Sequence, residues 1–468
     1  MSFLPSLFKR RTSANGNRTS LDRRAFLKSA STVGMTSAIL ATNVEADAYE
    51  IDELPPGVVP SNPRELLYPT PEPNSKIFDP STGSYAWSYP ILQNVAETSA
   101  SVVWALNLPA TGWVEYGETP NLGKVARNSQ FGLNPYEEDF ICARMTGLRP
   151  NTRYYYRTAT CAFHYTTAYN KTISEPQYSE VYSFKTAGPN EENVSFAVLN
   201  DTHNQISTIK ALFERFDELK PDMLVWNGDL CHRYPSSTIL KTAVANPCDM
   251  PYAAERHLIL AKGNHDRWGP WAHKFSQIFT PWIHEDLKFR PLGYNYALRR
   301  GPLAMIILDT AETAPDSAEK CQNISSAEPY RELQAAWLES VLKRPDIANA
   351  PYLLAFCHIP LFDVAPKENA KKPKGLKWIP YSEIISKTWG PIFDRSGIQM
   401  LITAHRHKFT YAEPTSERPW AQLTGGGPLL QENATCIHAE ANSKELVVTC
   451  EKLADKSVLG TWTIKPRF

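Results

Sequence analysis

The chain has 468 residues, which is too long for one ordinary domain and predicts two or three. Hydrophobic residues make up 42% of it and charged residues 21%, so the chain can bury a sizeable core and is not disordered as a whole. The 49 basic and 49 acidic residues cancel, which argues against a protein that binds nucleic acid through its phosphates.

The first predicted element is an export signal in residues 1–48. Arg23 and Arg24 form a twin-arginine pair, a weakly apolar stretch follows from Ser29 to Ala41, and the small residues Ala46–Ala48 suit a signal peptidase. The alternative is a disordered basic terminus. The order of the three features favours export by the twin-arginine machinery, and therefore a periplasmic or secreted protein. No later run approaches the ~20 apolar residues of a membrane span.

A proline-rich lead-in and then an all-β module are predicted next. Residues 49–84 contain eight prolines, which exclude a long helix or a paired strand. Residues 85–188 show short runs of β-branched and aromatic residues between turn signals. The segment Gly147–Tyr156 resembles the turn before a late strand of a fibronectin type III-like sandwich, where a tyrosine forms a corner contact. The predicted strands are Ala100–Leu106, Gly112–Tyr116, Phe140–Arg144, Tyr154–Thr158 and Val181–Thr186.

From Asn193 to the C-terminus the pattern changes to strands that alternate with helices, which predicts an α/β domain over residues 193–468. Apolar residues from Ile209 to Leu219 repeat at helical spacing until Pro221. Further helices are predicted at Tyr330–Leu342 and Tyr381–Phe393. The predicted strands are Ser195–Leu199, Met223–Trp226, Leu258–Ala261, Ala304–Leu308, Tyr352–Phe356, Met400–Thr403, and a final hairpin of Glu445–Thr449 and Gly460–Ile464.

A short polar island follows each of five of these strands. In an open α/β sheet, ligands bind beyond the carboxyl ends of the strands, so the five islands are expected to meet in space. Their Asp, Asn and His side chains are those that hold two divalent metal ions side by side. Each island alone is common in turns, but five in order predict a binuclear metal site. The islands are Asp201-Thr202-His203, Gly228-Asp229, Gly263-Asn264-His265-Asp266, His358 and His405-Arg406-His407.

This order of motifs resembles the calcineurin-like metallophosphoesterases, and with a sandwich in front it resembles the purple acid phosphatases. The resemblance implies a β-sandwich metallophosphoesterase core flanked by helices. There are two departures. Ala404 stands where the family usually has glycine, and the tyrosine ligand of purple acid phosphatases is replaced by His203 in the first motif, with Cys231 after Asp229. The colour of a tyrosinate–iron centre is therefore not expected.

The resemblance also assigns roles by position. It implies two ions, of manganese, iron, zinc or cobalt, and a hydroxide held between them that attacks phosphorus. His265 would protonate or bind the leaving oxygen, and Asp266 would orient its imidazole. The first ion would be held by Asp201, His203, Asp229 and His407, and the second by Asp229, Asn264, His358 and His405.

Three functions remain open at this point. The first is an exported phosphoesterase acting on a small phosphate ester, in the first instance a phosphomonoester. The second is a phosphodiesterase or pyrophosphatase for nucleotides or lipid-linked diphosphates, and the third is a binding or adhesion protein with a structural metal. The long connections 233–256, 267–293 and 361–380 are candidate pocket walls. Connection 361–380 is rich in lysine, and these lysines would either steer anionic substrates or simply face the solvent. They are Lys367, Lys371, Lys372, Lys374 and Lys377.

The eight cysteines and the other histidines carry weaker expectations. Cys142 with Cys161, and Cys436 with Cys450, are plausible disulfides if the protein is exported, and buried free thiols are the alternative. His232 is the remaining histidine that we single out, because it lies near Asp229 in the sequence.

Overall fold

The computed structural model describes residues 83–362 and 381–468. The predicted export signal, almost all of the proline-rich lead-in and the lysine-rich part of the last connection lie outside the described residues. Within the described ranges, every helix is too short or too polar to cross a bilayer.

The described residues form a mixed α/β structure that is mostly sheet. The strands are β1 Ile91–Gln93, β2 Ser99–Ala105, β3 Ala110–Gly117, β4 Lys124–Ala126, β5 Phe140–Thr146, β6 Arg153–Tyr165, β7 Lys171–Ile173, β8 Gln177–Tyr178, β9 Tyr182–Lys185, β10 Val194–Leu199, β11 Met223–Trp226, β12 His257–Leu260, β13 Tyr296–Arg300, β14 Leu303–Leu308, β15 Tyr352–Cys357, β16 Met400–Thr403, β17 Thr410–Ala412, β18 Ala421–Thr424, β19 Thr435–Ala441, β20 Leu446–Lys452 and β21 Val458–Ile464. The α-helices are α1 Ile206–Leu219, α2 Ser237–Leu240, α3 Ala327–Val341, α4 Pro345–Ala348 and α5 Tyr381–Ser396. A π-helical segment lies at Lys241–Ala245, and 3₁₀ segments lie at His265–Arg267, Pro270–Gln277 and Leu287–Leu292.

Three sheets organise the strands of the described residues. The largest has nine strands in the order β21-β20-β19-β10-β11-β12-β1-β2-β5. A six-stranded sheet has the order β13-β14-β15-β16-β18-β17. The third contains β4, β3, β6 and β7, with β8 and β9 also paired to β6. In the first two sheets β10, β11 and β12, and β14, β15 and β16, are parallel neighbours, so their carboxyl ends lie along common edges.

The α/β region is a sandwich of the first two sheets with helices on the outside, as the sequence predicts. Side chains alternate along β10: Phe196 and Val198 face the six-stranded sheet, whereas Ala197 and Leu199 face α1. On the far side, α3 and α5 cover the six-stranded sheet. Phe196 meets Phe356 of β15 edge to face, with ring centroids 5.6 Å apart, so the two sheets are in direct contact through these rings.

The all-β module is not structurally independent, because it shares the nine-stranded sheet with the α/β region. Gln93 of β1 is in parallel register with Leu258 of β12, and β2 continues the sheet on the other side of β1. The Gln93 side chain reinforces the join, since it donates to the Ile278 carbonyl and accepts from the Thr280 amide. The module's own core lies between β2 and β5 on one side and β3 and β6 on the other.

The expected tyrosine corner is present at Tyr154. Its ring is fully buried in the core of the module. Its hydroxyl accepts a hydrogen bond from the Arg149 amide at 3.1 Å and donates to Glu118 at 3.4 Å. The contact closes the loop that leads into β6, as the segment before the tyrosine triplet predicts.

The predicted disulfides are not formed, and all eight cysteines are free thiols. Cys142 and Cys161 lie on strands of different sheets. Cys436 and Cys450 lie on neighbouring strands but in the wrong register, because Cys436 is opposite Glu451 and Cys450 is opposite Ile437. The free-thiol alternative is therefore the one that the structure supports.

Replacing Tyr154 by phenylalanine removes the corner hydrogen bonds and keeps the buried ring. We expect the free energy of unfolding to fall by about 1–2 kcal/mol, as for the loss of a buried hydrogen bond. Chemical denaturation measures this change. Tyr155→Phe is the matched control, because this neighbouring tyrosine is half-buried and points away from the corner. Equal stabilities for the two variants would contradict the corner's role.

Candidate metal centre

The five predicted islands converge between the two sheets of the α/β region. Three of them follow β10, β11 and β12 of the nine-stranded sheet, and two follow β15 and β16 of the six-stranded sheet. Hydrogen bonds cross between the islands. The Asp201 carboxylate accepts from the His405 amide at 2.9 and 3.1 Å, and the Asp229 carboxylate accepts from the His265 amide at 2.8 Å. The convergence expected from strand-end positions is thus observed.

The backbone at five of the seven predicted ligands adopts the left-handed conformation, which residues other than glycine rarely adopt. Each such residue costs on the order of 1–3 kcal/mol and persists only where its surroundings hold it. Here the Asp201 amide donates to the Gly228 carbonyl and the His203 amide donates to the Asp229 carbonyl. The sharp turns aim residues i and i+2 at one centre, as we expected. The positive φ angles are 50° at Asp201, 42° at His203, 52° at Asp229, 69° at His405 and 50° at His407.

Two glycines let these loops approach each other closely. Gly228 has a φ of +84°, and a Cβ added there would lie 2.4 Å from Nδ1 of His358. A Cβ on Gly263 would lie 2.3 Å from the Asp229 carboxylate. Both distances are far below van der Waals contact, so any side chain at either position would push a predicted ligand out of place.

The first group of potential ligands consists of Asp201, His203 and His407. Nε2 of His203 lies 3.0 Å from Nε2 of His407, which in turn lies 3.4 Å from the Asp201 carboxylate. Nε2 of His203 is also 3.6 Å from the Asp229 carboxylate. Ligands bonded at about 2.1 Å to one ion are separated by about 3.0–3.4 Å, so these spacings suit a common cation.

The second group consists of Asp229, His358 and His405. Nε2 of His358 is 3.1 Å from the Asp229 carboxylate, and Nδ1 of the same ring bonds the Asn227 carbonyl at 2.8 Å. That carbonyl fixes the tautomer and aims Nε2 into the site. Oδ1 of Asn264 is buried beside this group and has no hydrogen-bond partner among the described residues. A buried acceptor of this kind suits a metal ligand, so the donor set agrees with a pair of metal ions.

The electrostatics of the site are those of a cation-binding cavity. Burial alone would lower the pKa of His358, but the charge and hydrogen bond of Asp229, the charge of Asp201 and the Asn227 carbonyl together raise it to about 10. Burial would raise the pKa of Asp229, yet the charge and hydrogen bond of His358, together with the charges of His265 and His203, hold the pKa well below its usual range. Burial lowers the pKa of His203 and of His405 to about 3, so both rings are neutral and ready to bind a metal.

His265 lies at the open side of the site, but Asp266 does not orient it as we expected. Nδ1 of His265 bonds the main-chain carbonyl of His232 at 2.9 Å, which leaves Nε2 as the free nitrogen. The Asp266 carboxylate is fully buried and points the other way. It accepts from the amides of Asp229, Leu230 and Gly263 and from the Tyr234 hydroxyl. Its role is to hold the loops that carry Asp229 and Asn264, since a short carboxylate cannot meet these donors and also reach the ring.

Two features of the site were missed by the sequence reasoning. Tyr234 is completely buried and supplies the hydroxyl for Asp266. Gly427 follows β18 in a run of three glycines, and a Cβ there would lie 2.6 Å from Cβ of His407. Both could have been noticed in the sequence, from the run of glycines and from the position of Tyr234 in the loop of Asp229. His232, which the sequence reasoning singled out, forms a further histidine group with His203 and His265.

Comparisons with known proteins agree with this geometry. Residues 194–409 match the family model described as Calcineurin-like phosphoesterase, and residues 89–186 match the Purple acid Phosphatase, N-terminal domain. The purple acid phosphatase PPD1 from yellow lupin (Lupinus luteus) seeds has a similar fold, with a TM-score of 0.54 and 14% identity over 81% of this chain and 74% of that one. The structure of PhoD is similar with a TM-score of 0.52 and 13% identity over 83% and 90%. No curated protein sequence matches significantly.

Asp229→Asn removes the negative charge shared by the two groups but keeps the shape of the side chain. We expect the purified variant to lose at least one of two bound ions, because a neutral amide cannot balance two cations. Elemental analysis after exhaustive dialysis measures the metal content. Asp217→Asn, an identical change on the exposed face of α1, is the control and should keep the wild-type content. Equal metal content in both variants would contradict the bridging role.

Metal binding should release protons, because the metal-free site holds one on His358. Below its pKa of about 10 this ring is protonated, and an ion must displace the proton to reach Nε2. The apparent metal affinity should therefore rise with pH between about pH 6 and 9, with at least one proton released. Calorimetric titration in buffers of different ionisation enthalpy counts the protons. Heats that do not depend on the buffer would contradict this charge state.

Proposed function

We propose that this chain, a metal-dependent phosphoesterase with a calcineurin-like phosphoesterase domain, is exported and hydrolyses phosphate monoesters. The proposal rests on the pair of ligand groups that meet at Asp229. On their open side lies His265, whose Nδ1 is bonded and whose Nε2 is available. Its family implies a small phosphate ester as substrate. The export step rests on the twin-arginine pair, Arg23 and Arg24, and on the apolar stretch that follows it.

Seven side chains would hold the two ions. When bound, the ions would supply an activated water and neutralise charge on the phosphoryl oxygens. The identity of the metals stays a proposal among manganese, iron, zinc and cobalt, because the His, Asp and Asn donors suit all four. The seven are Asp201, His203, Asp229, Asn264, His358, His405 and His407.

His265 is proposed to act on the leaving group. Its main chain is tied to Asp229 and its Nδ1 to the His232 carbonyl, so the ring has one orientation and one free nitrogen, Nε2. A nitrogen fixed in this way can hand a proton to the departing oxygen or hold that oxygen by a hydrogen bond. Asp266 supports the same step indirectly, because it holds the loop on which His265 stands.

The charge of the proposed ligand set favours monoesters over diesters. It contains two carboxylates, Asp201 and Asp229, while Asn264 contributes a neutral amide oxygen. Two divalent ions with two carboxylates leave a net positive charge, which a dianionic monoester neutralises better than a monoanionic diester. A phosphodiesterase or pyrophosphatase would use the same core, so the assay has to compare the ester classes. A binding protein with structural metal would hydrolyse none of them.

Hydrolysis of p-nitrophenyl phosphate, compared with its bis-ester, tests the proposal. We expect faster turnover of the monoester and complete loss of activity with a chelator, because the water is activated only by the ions. A preference for the bis-ester would favour the phosphodiesterase alternative. No hydrolysis of either ester by the metal-loaded protein would favour a binding protein.

His265→Ala should lower kcat for the monoester by about 10²–10⁴-fold without loss of metal, as for removal of a general acid. His273→Ala is the matched control, because this exposed histidine lies in the connection that follows the same island. Steady-state kinetics and elemental analysis give the two quantities. A wild-type kcat in the His265→Ala variant would show that His265 takes no part in the reaction.

A further inference from the structure

His232 lies at the open side of the metal centre, although no motif places it there. Its ring centroid is 4.8 Å from that of His265 and 5.9 Å from that of His203. The rings of His203 and His265 are themselves 4.9 Å apart. The three imidazoles offer nitrogen atoms that all lie within 4.8 Å of one another. His232 is the exposed member of this group, so its ring faces the solvent from which a substrate arrives.

The main chain of His232 makes a hydrogen bond within the site, whereas its side chain does not. The carbonyl accepts the Nδ1 hydrogen of His265 and so fixes that ring. Neither ring nitrogen of His232 makes a hydrogen bond to another described residue that would explain the position of the ring. An exposed imidazole beside a predicted ligand is not part of a hydrophobic core. Its ring is therefore accessible to a molecule bound at the open side of the site.

We propose that the His232 side chain binds the phosphoryl group of the substrate, next to His265. This inference rests on the proposed phosphomonoesterase function and adds a substrate-binding residue to it. A phosphoryl group held at the metal centre has terminal oxygens that the ions do not neutralise completely. An imidazole N–H donated to such an oxygen is a charge-assisted hydrogen bond, which is stronger than a neutral one.

A third metal ion at the three histidines is the competing explanation, and the geometry disfavours it. His203 already belongs to the group with Asp201 and His407, and its Nε2 is 3.0 Å from that of His407. Nδ1 of His265 is committed to the His232 carbonyl. An ion there would have two imidazoles of its own, which is fewer than the three protein ligands of ordinary catalytic zinc sites.

The contact should discriminate between ester classes. A monoester presents three terminal oxygens, whereas a diester presents two and carries a bulky group in place of the third. An imidazole donor beside His265 is thus more useful to a monoester. The His232 side chain should contribute to KM for the monoester and very little to the bis-ester.

The experiment uses the full chain loaded with metal, with inorganic phosphate as the binding probe. His232→Ala removes the ring but keeps the carbonyl that fixes His265. We expect the Kd for phosphate, measured by calorimetry, to rise about tenfold or more, and KM for p-nitrophenyl phosphate to rise in parallel, with kcat changed by less than about threefold. His232→Gln, which restores an N–H donor, should recover most of the affinity, and His273→Ala should behave as wild type.

Each outcome decides the inference. An unchanged Kd and KM in His232→Ala would overturn it, and so would a wild-type protein with three ions of which the variant loses one. A large fall in kcat at constant KM would instead make His232 a positioning residue for His265. If the wild-type protein bound phosphate through His232 but hydrolysed no ester, the proposed function would fail and the binding site would stand.

Discussion

One buried carboxylate, that of Asp266, fixes the two loops that carry Asp229, Asn264 and His265. It receives the amides of Asp229, Leu230 and Gly263 and the hydroxyl of Tyr234, so two loops from neighbouring strands are held by one group. Burial raises the pKa of Asp266, and the charge of Asp229 raises it further. A carboxylate in such a place is unfavourable unless donors surround it, and four donors meet this need. The position of Asp229 between the two ligand groups follows from these bonds.

The strained backbone at the predicted ligands depends on the sheets behind it. Left-handed turns at Asp201 and His405 would relax in an isolated peptide, because each is unfavourable by itself. Here the strands before them are buried, and the core between the two sheets, which includes the contact of Phe196 with Phe356, holds the sheets together. Asp201 and His358 each follow one of the strands that carry these rings. Packing between the two sheets therefore holds the ligand groups, which come from different sheets, in position relative to each other.

The sequence predicted the parts of the molecule that local pattern controls. Met223–Trp226 and Met400–Thr403 are strands with the predicted bounds, since continuous apolar runs end there in polar residues. Strand β19 was missed, because His438 and Glu440 interrupt its apolar pattern. The join between β1 and β12 was missed because pairing partners 165 residues apart leave no local signal. The grouping of the predicted ligands followed from strand ends, but the contacts of Asp266 did not, because side-chain direction in a tight turn depends on tertiary contacts.

The shared nine-stranded sheet has a consequence for how the chain can be divided. Strand β12 leads directly into the loop of Asn264 and His265, and its outer edge is covered by β1 from the preceding module. Excision of that module would leave the N–H and C=O groups of β12 without partners, next to the apolar side chains of the strand. Exposed edges of this kind recruit strands from other molecules. The α/β region alone would therefore tend to self-associate through β12. The all-β module covers this edge in the whole chain and so prevents such association.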